Sequence, residues 1–486
     1  LDDSRRMHNK LVSSGCTSEL VEAEGMWHAY VLYCIKERAC DLDRINAFLN
    51  RFLSHERKLR WMRLDNAAKI YPAAKRRKWN NFFRLSATLC DEVDKTVLRN
   101  AMDVTMRRFP SFAVRLCRGA FWYYLEELSS APEITDEKSW PLAHTPFESI
   151  NECALRVIVY KNRIAVEFYH ALTDGTGGMV FLKSLLAEYI EQKYGVEIPN
   201  ECGVLDRLTQ PQEEELEDSF SKNAGSVSVS RNASTAFKIH YTPERDDFRH
   251  LTTFILDSNA ALAAAKSCGV SLTVYLTSAM LLALQRIQDE QTPDKRRQKP
   301  IRVVVPVNLR RLFPSRTLRN FVHVIMPEID PRMGDYEFSE ILTSVKHQLG
   351  LLVTKKNLCA MFTPNVNAER SPLLRVMPLF LKNIAMKLVY DTVGERTNCL
   401  NLSNLGDIKV PDAMRRYVTR FDFILGVQAT KPNNCGVLSY NGKLYMNFIR
   451  NTVEPVLEFQ FYQVLRELGL HVKVESNGAG NVLIPN

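Results

Sequence analysis

The stretch F-Y-H-A-L-T-D-G-T-G-G, residues 168–178, sits between two different periodicities. Ahead of it, Ile164, Val166 and Phe168 share one strand parity. His170 has the same parity, so it projects from the apolar face if the strand persists. Asp174 and Gly175 fall in a tight turn, where glycine supplies a positive φ. Beyond Thr176-Gly177-Gly178, Val180, Phe181, Leu185, Leu186, Tyr189 and Ile190 form one helical stripe, and Gly195 closes it as a C′ residue. Strand, histidine, Asp-Gly turn and helix make a rigid mount for one imidazole and one carboxylate.

An imidazole near its reference pKa is a general base at neutral pH. Asp174 has two roles open to it. It could orient the imidazole, as in a triad. Or it could turn away, accept hydrogen bonds from its own loop and pair with an arginine elsewhere. The short spacing and the Asp-Gly turn suit the second. The chain has no G-x-S-x-G elbow, no G-x-G-x-x-G and no Walker loop. A lone histidine base then implies direct attack by a substrate nucleophile, without a covalent enzyme intermediate. On spacing alone, a satisfied core histidine beside a turn is an equal reading.

Working outward, residues 154–160 and 163–169 form a hairpin through Lys161-Asn162. Upstream, 82–89 reads as a strand and 93–109 as a helix stopped by Pro110, with further strands at 111–118 and 121–125. Downstream, strands are expected at 251–256, 300–307, 321–326, 399–403, 421–425, 436–440 and 443–449. The last two join through Asn441-Gly442, a strong hairpin signal. Helices are expected at 259–267, 271–288, 338–353, 373–389 and 454–468. This mixture is α/β, in the sense of an α+β sandwich of mixed sheets with helices packed on them. The least core-like interior stretch is 208–234, with Glu213-Glu214-Glu215 and a polar run. We therefore divide the chain into an N-terminal extension (1–58, helical near 25–53), a first half (59–210), a crossover (211–245) and a second half (246–486).

Charge and composition narrow the partners. The chain has 486 residues, 45% hydrophobic and 24% charged, with a net charge of +9, ordinary for a globular protein. The basic runs Lys75-Arg76-Arg77-Lys78 and Lys295-Arg296-Arg297 lack interleaved aromatics, so no nucleic-acid partner is expected. Eleven cysteines without a C-x-x-C give neither a metal site nor a disulfide framework, and read as reduced thiols in a cytoplasmic protein. No secretory signal or transmembrane run is visible; residues 270–284 read as a buried helix. A monomer is expected.

H-A-L-T-D-G in mid-chain, after a hairpin and before a helix, resembles the H-x-x-x-D-G signature of the chloramphenicol-acetyltransferase-like superfamily. That superfamily contains plant acyl-CoA transferases, condensation domains of peptide synthetases, wax ester synthases and alcohol acetyltransferases. P-V-N-L-R-R (306–311) resembles the strand end where the plant enzymes carry an arginine that pairs with the motif aspartate, here Arg310. L-S-N-L-G (402–406) resembles an S-N-x-x-G stretch of the wax synthases. L-D-N-A-A-K-I-Y-P-A (64–73), F-R-L-S-A (83–87) and R-R-F-P-S-F (107–112) resemble the bacterial alcohol acetyltransferase-like, condensation-domain-like branch. The likeness runs from about 61 to 472. It departs at Tyr169, where many relatives carry a second histidine, and at F-D-F-I-L-G (421–426), a loose match to the plant D-F-G-W-G.

The resemblance implies two CoA-dependent acyltransferase-like domains facing each other across a tunnel. It implies acyl transfer from a CoA thioester, acetyl-CoA included, to an alcohol or amine, with no bound cofactor. His170 would take the acceptor's proton and return it to the leaving thiolate. Asp174, Gly175 and Arg310 would shape the loop. Ser403, Asn404 or backbone N–H groups would meet the oxyanion. The alternatives are a donor carried on an acyl carrier protein, and a non-catalytic binding protein on the same scaffold.

Overall fold

The computed structural model describes residues 2–14, 18, 20, 60–73, 81–144, 147–229, 234–245, 247–428 and 431–478. The chain forms two compact units, Leu1–Arg60 and Trp61–Asn486. In the first, Asp2–Ser13 is a helix. The helix expected near 25–53 and the basic run 75–78 lie outside the described residues.

The second unit carries strands β1 (Trp61–Arg63), β2 (Phe82–Leu89), β3 (Val114–Arg118), β4 (Tyr123–Glu127), β5 (Ile134–Asp136), β6 (Leu155–Tyr160), β7 (Arg163–Tyr169), β8 (His250–Asp257), β9 (Ile301–Asn308), β10 (Val322–Ile325), β11 (Glu328–Ile329), β12 (Leu400–Asp407), β13 (Val418–Ile424), β14 (Asn433–Tyr440), β15 (Lys443–Arg450) and β16 (Lys473–Ser476). One sheet runs β13-β2-β7-β6-β5. A larger one runs β10-β9-β12-β14-β15-β8-β16, with β11 also on β9. β1, β4 and β3 form a small third sheet. Both larger sheets are mixed: β5 lies parallel to β6, and β12 lies parallel to both β9 and β14. The mixed α/β architecture is therefore present.

Local chemistry explains the elements. Lys161 (φ 50°) turns the β6–β7 hairpin, and Asn441 (φ 49°) with Gly442 (φ 76°) turns β14 into β15. The helix Lys95–Arg108 begins at Asp94, whose carboxylate accepts from the Thr96 and Val97 N–H groups. On the first sheet, Phe83, Leu85 and Ala87 of β2 stand opposite Phe168, Val166 and Ile164 of β7. Phe181, from the helix above, stacks on Phe112 at 4.9 Å and meets Phe168 edge-on. In the larger sheet's core, the helix Leu272–Gln291 is buried almost all round, which is why its sequence is apolar on every face. Among the described residues no single helix is long and apolar enough to cross a membrane.

Two expectations change. The single helix at 373–389 is two, Pro372–Val376 and Leu379–Val389, because Pro378 holds Met377 extended. And the polar stretch 208–234 is not loose throughout. It holds the short helices Glu213–Leu216 and Ser219–Asn223, and buried Glu215 takes both guanidinium nitrogens of Arg108 at 2.6 Å.

β13 comes from late in the chain yet forms an edge of the first sheet, antiparallel to β2 from Val418↔Leu89 to Ile424↔Arg84. Glycines permit the close approach. A Cβ on Gly426 would stand 2.5 Å from the Phe82 carbonyl oxygen, and one on Gly436 2.2 Å from that of Phe423.

Candidate active site

β7 ends at Tyr169 and the helix Gly175–Tyr194 begins six residues later. Asp174 is that helix's N-cap. Its Oδ1 accepts from the Thr176 and Gly177 N–H groups, both at 3.1 Å. Its Oδ2 accepts from Arg310 at 2.8 Å and from the Phe321 N–H at 2.8 Å. The carboxylate is 2% exposed, so these four donors replace its water. It makes no hydrogen bond to His170 among those of the described residues.

The glycines serve space, not conformation. Gly175, Gly177 and Gly178 are not in the left-handed region, contrary to the turn reading. Asp-Gly is here a cap and the first helical residue, and a helix start needs no positive φ. A Cβ on Gly177 would instead stand 2.1 Å from the Leu318 carbonyl oxygen, and one on Gly175 2.7 Å from Leu405. The loop is thus wedged against segments from the other half.

Arg310 follows β9 on a short 3-10 turn. Besides Asp174, it donates to the carbonyls of Thr317 and Arg319. It therefore clamps the 310–321 loop and the helix start as one piece. A cavity of about 570 Å³ lies on this side of the mount, lined by Thr176, Gly177, Val180, Arg310, Thr317 and Leu318 among others; His170 is not in its lining.

His170 sits at the other end of the loop, partly buried, with its own N–H on the Asn81 carbonyl. Tyr71 stacks on the imidazole at 4.7 Å and Phe83 meets it edge-on at 5.1 Å. Its Nδ1 lies 3.1 Å from Asn320 Oδ1. The amide of Asn320 has a determined orientation. Its Nδ2 donates to the His170 carbonyl at 3.0 Å and to Asp65 Oδ2 at 3.3 Å. Its Oδ1 must then face the ring, and an amide oxygen only accepts. Nδ1 carries the proton, so Nε2 keeps its lone pair. Burial holds the imidazole pKa below its ordinary value, opposed by its own backbone, by Asp174 through space and by Asn320. Burial thus favours the neutral ring. Asp65, fully buried, has its pKa pushed up to about 6 by burial, with Arg319 opposing.

Ser403 and Asn404 lie on β12, which reaches the mount through Leu405. Asn404 has both polar ends engaged locally, donating to Thr273 Oγ1 at 3.2 Å and accepting from Gly406 N at 2.8 Å. Sequence reasoning did not single out Asn320, Tyr71 or Asp65 as site residues. Tyr71 and Asp65 fall inside the quoted 64–73 segment, but no periodicity or spacing marks Asn320. Among the described residues, no group of three or more His, Cys, Asp or Glu could hold a metal ion.

No protein-family model matches the chain, and no curated protein matches it. Its fold is nevertheless shared. The first condensation domain of the CDA synthetase superposes with a TM-score of 0.57 at 12% identity, over 84% of this chain and 96% of that one. Polyketide synthase associated protein 5 from Mycobacterium tuberculosis gives 0.54 at 13% identity, over 84% and 98%. The starter condensation domain of rhizomide synthetase RzmA, solved with C8-CoA and Leu-SNAC, gives 0.51 at 11% identity, over 84% and 93%. The chain therefore shares the fold of these condensation domains.

Proposed function

We propose that the chain is an acyltransferase that moves an acyl group from a thioester to an alcohol or amine, with His170 as general base. One observation carries this reading: Asn320 fixes the ring so that a neutral imidazole presents an unprotonated Nε2. Nε2 takes the proton of the acceptor's O–H or N–H as that atom attacks the thioester carbonyl. The tetrahedral intermediate collapses, the C–S bond breaks, and Nε2–H returns the proton to the departing thiolate. Asp174, Gly175 and Arg310 keep the loop in shape and touch no substrate. The oxyanion is met by backbone N–H groups or by Ser403. Asn404 suits that role less, since its amide is committed to Thr273 and Gly406.

A CoA thioester, acetyl-CoA included, is the proposed donor. Support comes from the starter condensation domain of like fold, solved with C8-CoA. A donor held on an acyl carrier protein is the second reading, favoured by the condensation domains among the structures of like fold.

The test incubates the purified full chain with a panel of acyl-CoAs and alcohols or amines, following thiol release and product mass. His170→Ala should lower transfer by about a hundredfold or more, the usual scale for a lost general base, with the melting point little changed. Full turnover in that variant would refute the role of His170.

A further inference from the structure

Residues 370–390 read R-S-P-L-L-R-V-M-P-L-F-L-K-N-I-A-M-K-L-V-Y, with four cations and no carboxylate. So apolar a segment is ordinarily turned into a core. Here its two helices, Pro372–Val376 and Leu379–Val389, present their large side chains outward. Leu373 is 70% exposed, Val376 68%, Phe380 55%, and Ile384 and Leu388 65% each. Phe121, from a remote part of the chain, extends the same patch and is 47% exposed.

The inner side is firmly tied, so the outward face is built and not frayed. The Leu379 N–H donates to the Ala120 carbonyl at 3.0 Å. Lys382 Nζ donates to the Phe121 carbonyl at 2.9 Å and lies 3.6 Å from the centre of the Trp122 ring. Asn383 Nδ2 donates to the Tyr123 hydroxyl at 3.1 Å.

We propose that this face docks on an anionic lipid bilayer. Apolar side chains bounded by cations, with aromatic residues at the border, are the make-up of a helix lying in a membrane interface. Arg370, Arg375 and Lys387 are exposed, and their sign matches anionic headgroups. A second copy of the chain matches less well. A two-fold contact through this patch would set the same cations against one another. A protein partner would need polar groups to pair with. On the exposed side of Leu379–Val389, only Lys387 offers one. A bilayer interior asks for none.

The docking surface adjoins the candidate site. Leu379–Val389 packs on the short helix Ile70–Ala73, and Tyr71 of that helix stacks on His170. A lipid-borne acceptor or a long-chain donor would thus meet the protein one helix away from the imidazole. That last step rests on the proposed acyl transfer; the docking itself does not.

The experiment sediments the full chain with vesicles of phosphatidylcholine alone or with added phosphatidylglycerol, and reads no activity. The wild type should bind the anionic vesicles at least tenfold more tightly. Ile384→Asp/Leu388→Asp, both at exposed positions, should weaken that binding tenfold or more with an unchanged melting point. Lys387→Gln should weaken it roughly fivefold at low salt, the scale of one cation near an anionic surface. Absence of sedimentation, equal binding to both vesicle types, or full binding by the double variant would overturn the proposal. So would loss of a solution dimer in the double variant, which assigns the face to a second copy. Capture of an acidic acyl carrier protein through these residues, without vesicle binding, would overturn it equally.

Discussion

The two ends of the loop 170–174 are held by opposite means. At Asp174, charge and backbone donors saturate a buried carboxylate: two N–H groups of its own helix, the Phe321 N–H and Arg310. At His170, neutral contacts fix a ring and, among the described residues, bond only one of its nitrogens: Tyr71 by stacking, Phe83 by its edge, Asn320 by one hydrogen bond. A saturated polar group stabilises a shape. A polar group with one face left open can do chemistry. In the proposed mechanism, five residues thus divide anchorage from reactivity.

The largest effect that would break this contrast is on stability. Asp174→Ala leaves the Arg310 charge and three N–H groups without their acceptor in a buried place. It should destabilise the fold by about 3–5 kcal/mol, the cost of breaking a buried pair by removing one partner. Urea unfolding measures it, with His170→Ala, expected within about 1 kcal/mol of wild type, as the reference. If Asp174→Ala instead unfolds like the wild type and loses only turnover, the aspartate belongs with the chemistry and the contrast fails.

A smaller effect concerns Asn320. Asn320→Ala should reduce kcat roughly tenfold, the worth of one neutral hydrogen bond, with KM little changed. Asn320→Asp places a carboxylate on Nδ1 and should move the acid inflection of the rate upward, because a nearby negative charge favours the imidazolium. A purely structural asparagine would leave that inflection where it was.

The smallest effect is the position of the inflection itself. Burial lowers the His170 pKa from its ordinary 6.5, so the rate should be flat near pH 7 and fall only below that value. The folded state also binds this proton less readily than the unfolded chain does. The stability tied to a neutral His170 is therefore present above the unfolded pKa and lost as pH falls below it. An inflection above 7 would show that the ring is not desolvated.

Much of the anchored end could be read from sequence, because its signals are short-range. A capping carboxylate, glycines and an apolar helical stripe sit within one turn of each other. The left-handed turn was misread there, since Asp-Gly marks a tight turn and a helix start alike. Arg310 is 136 positions away and came through resemblance alone. The His170 end was less legible. Strand parity put His170 on the face of Ile164, Val166 and Phe168, but Asn320 approaches from 150 positions off on an irregular segment with no periodicity. The direction of the outward apolar helix was not legible for a related reason: composition shows that Leu379–Val389 is apolar, not which way it faces.

The insertion of β13 has a consequence in time. Its pairing with β2 joins positions 331 apart, as in the Thr419–Thr88 hydrogen bond. During synthesis, β2 emerges 331 positions ahead of its partner in β13 and waits with one edge unpaired until then. Contacts so remote in sequence form slowly, and an open edge is exposed to wrong partners meanwhile. The first sheet, which carries the histidine, is begun first and among the last to be finished.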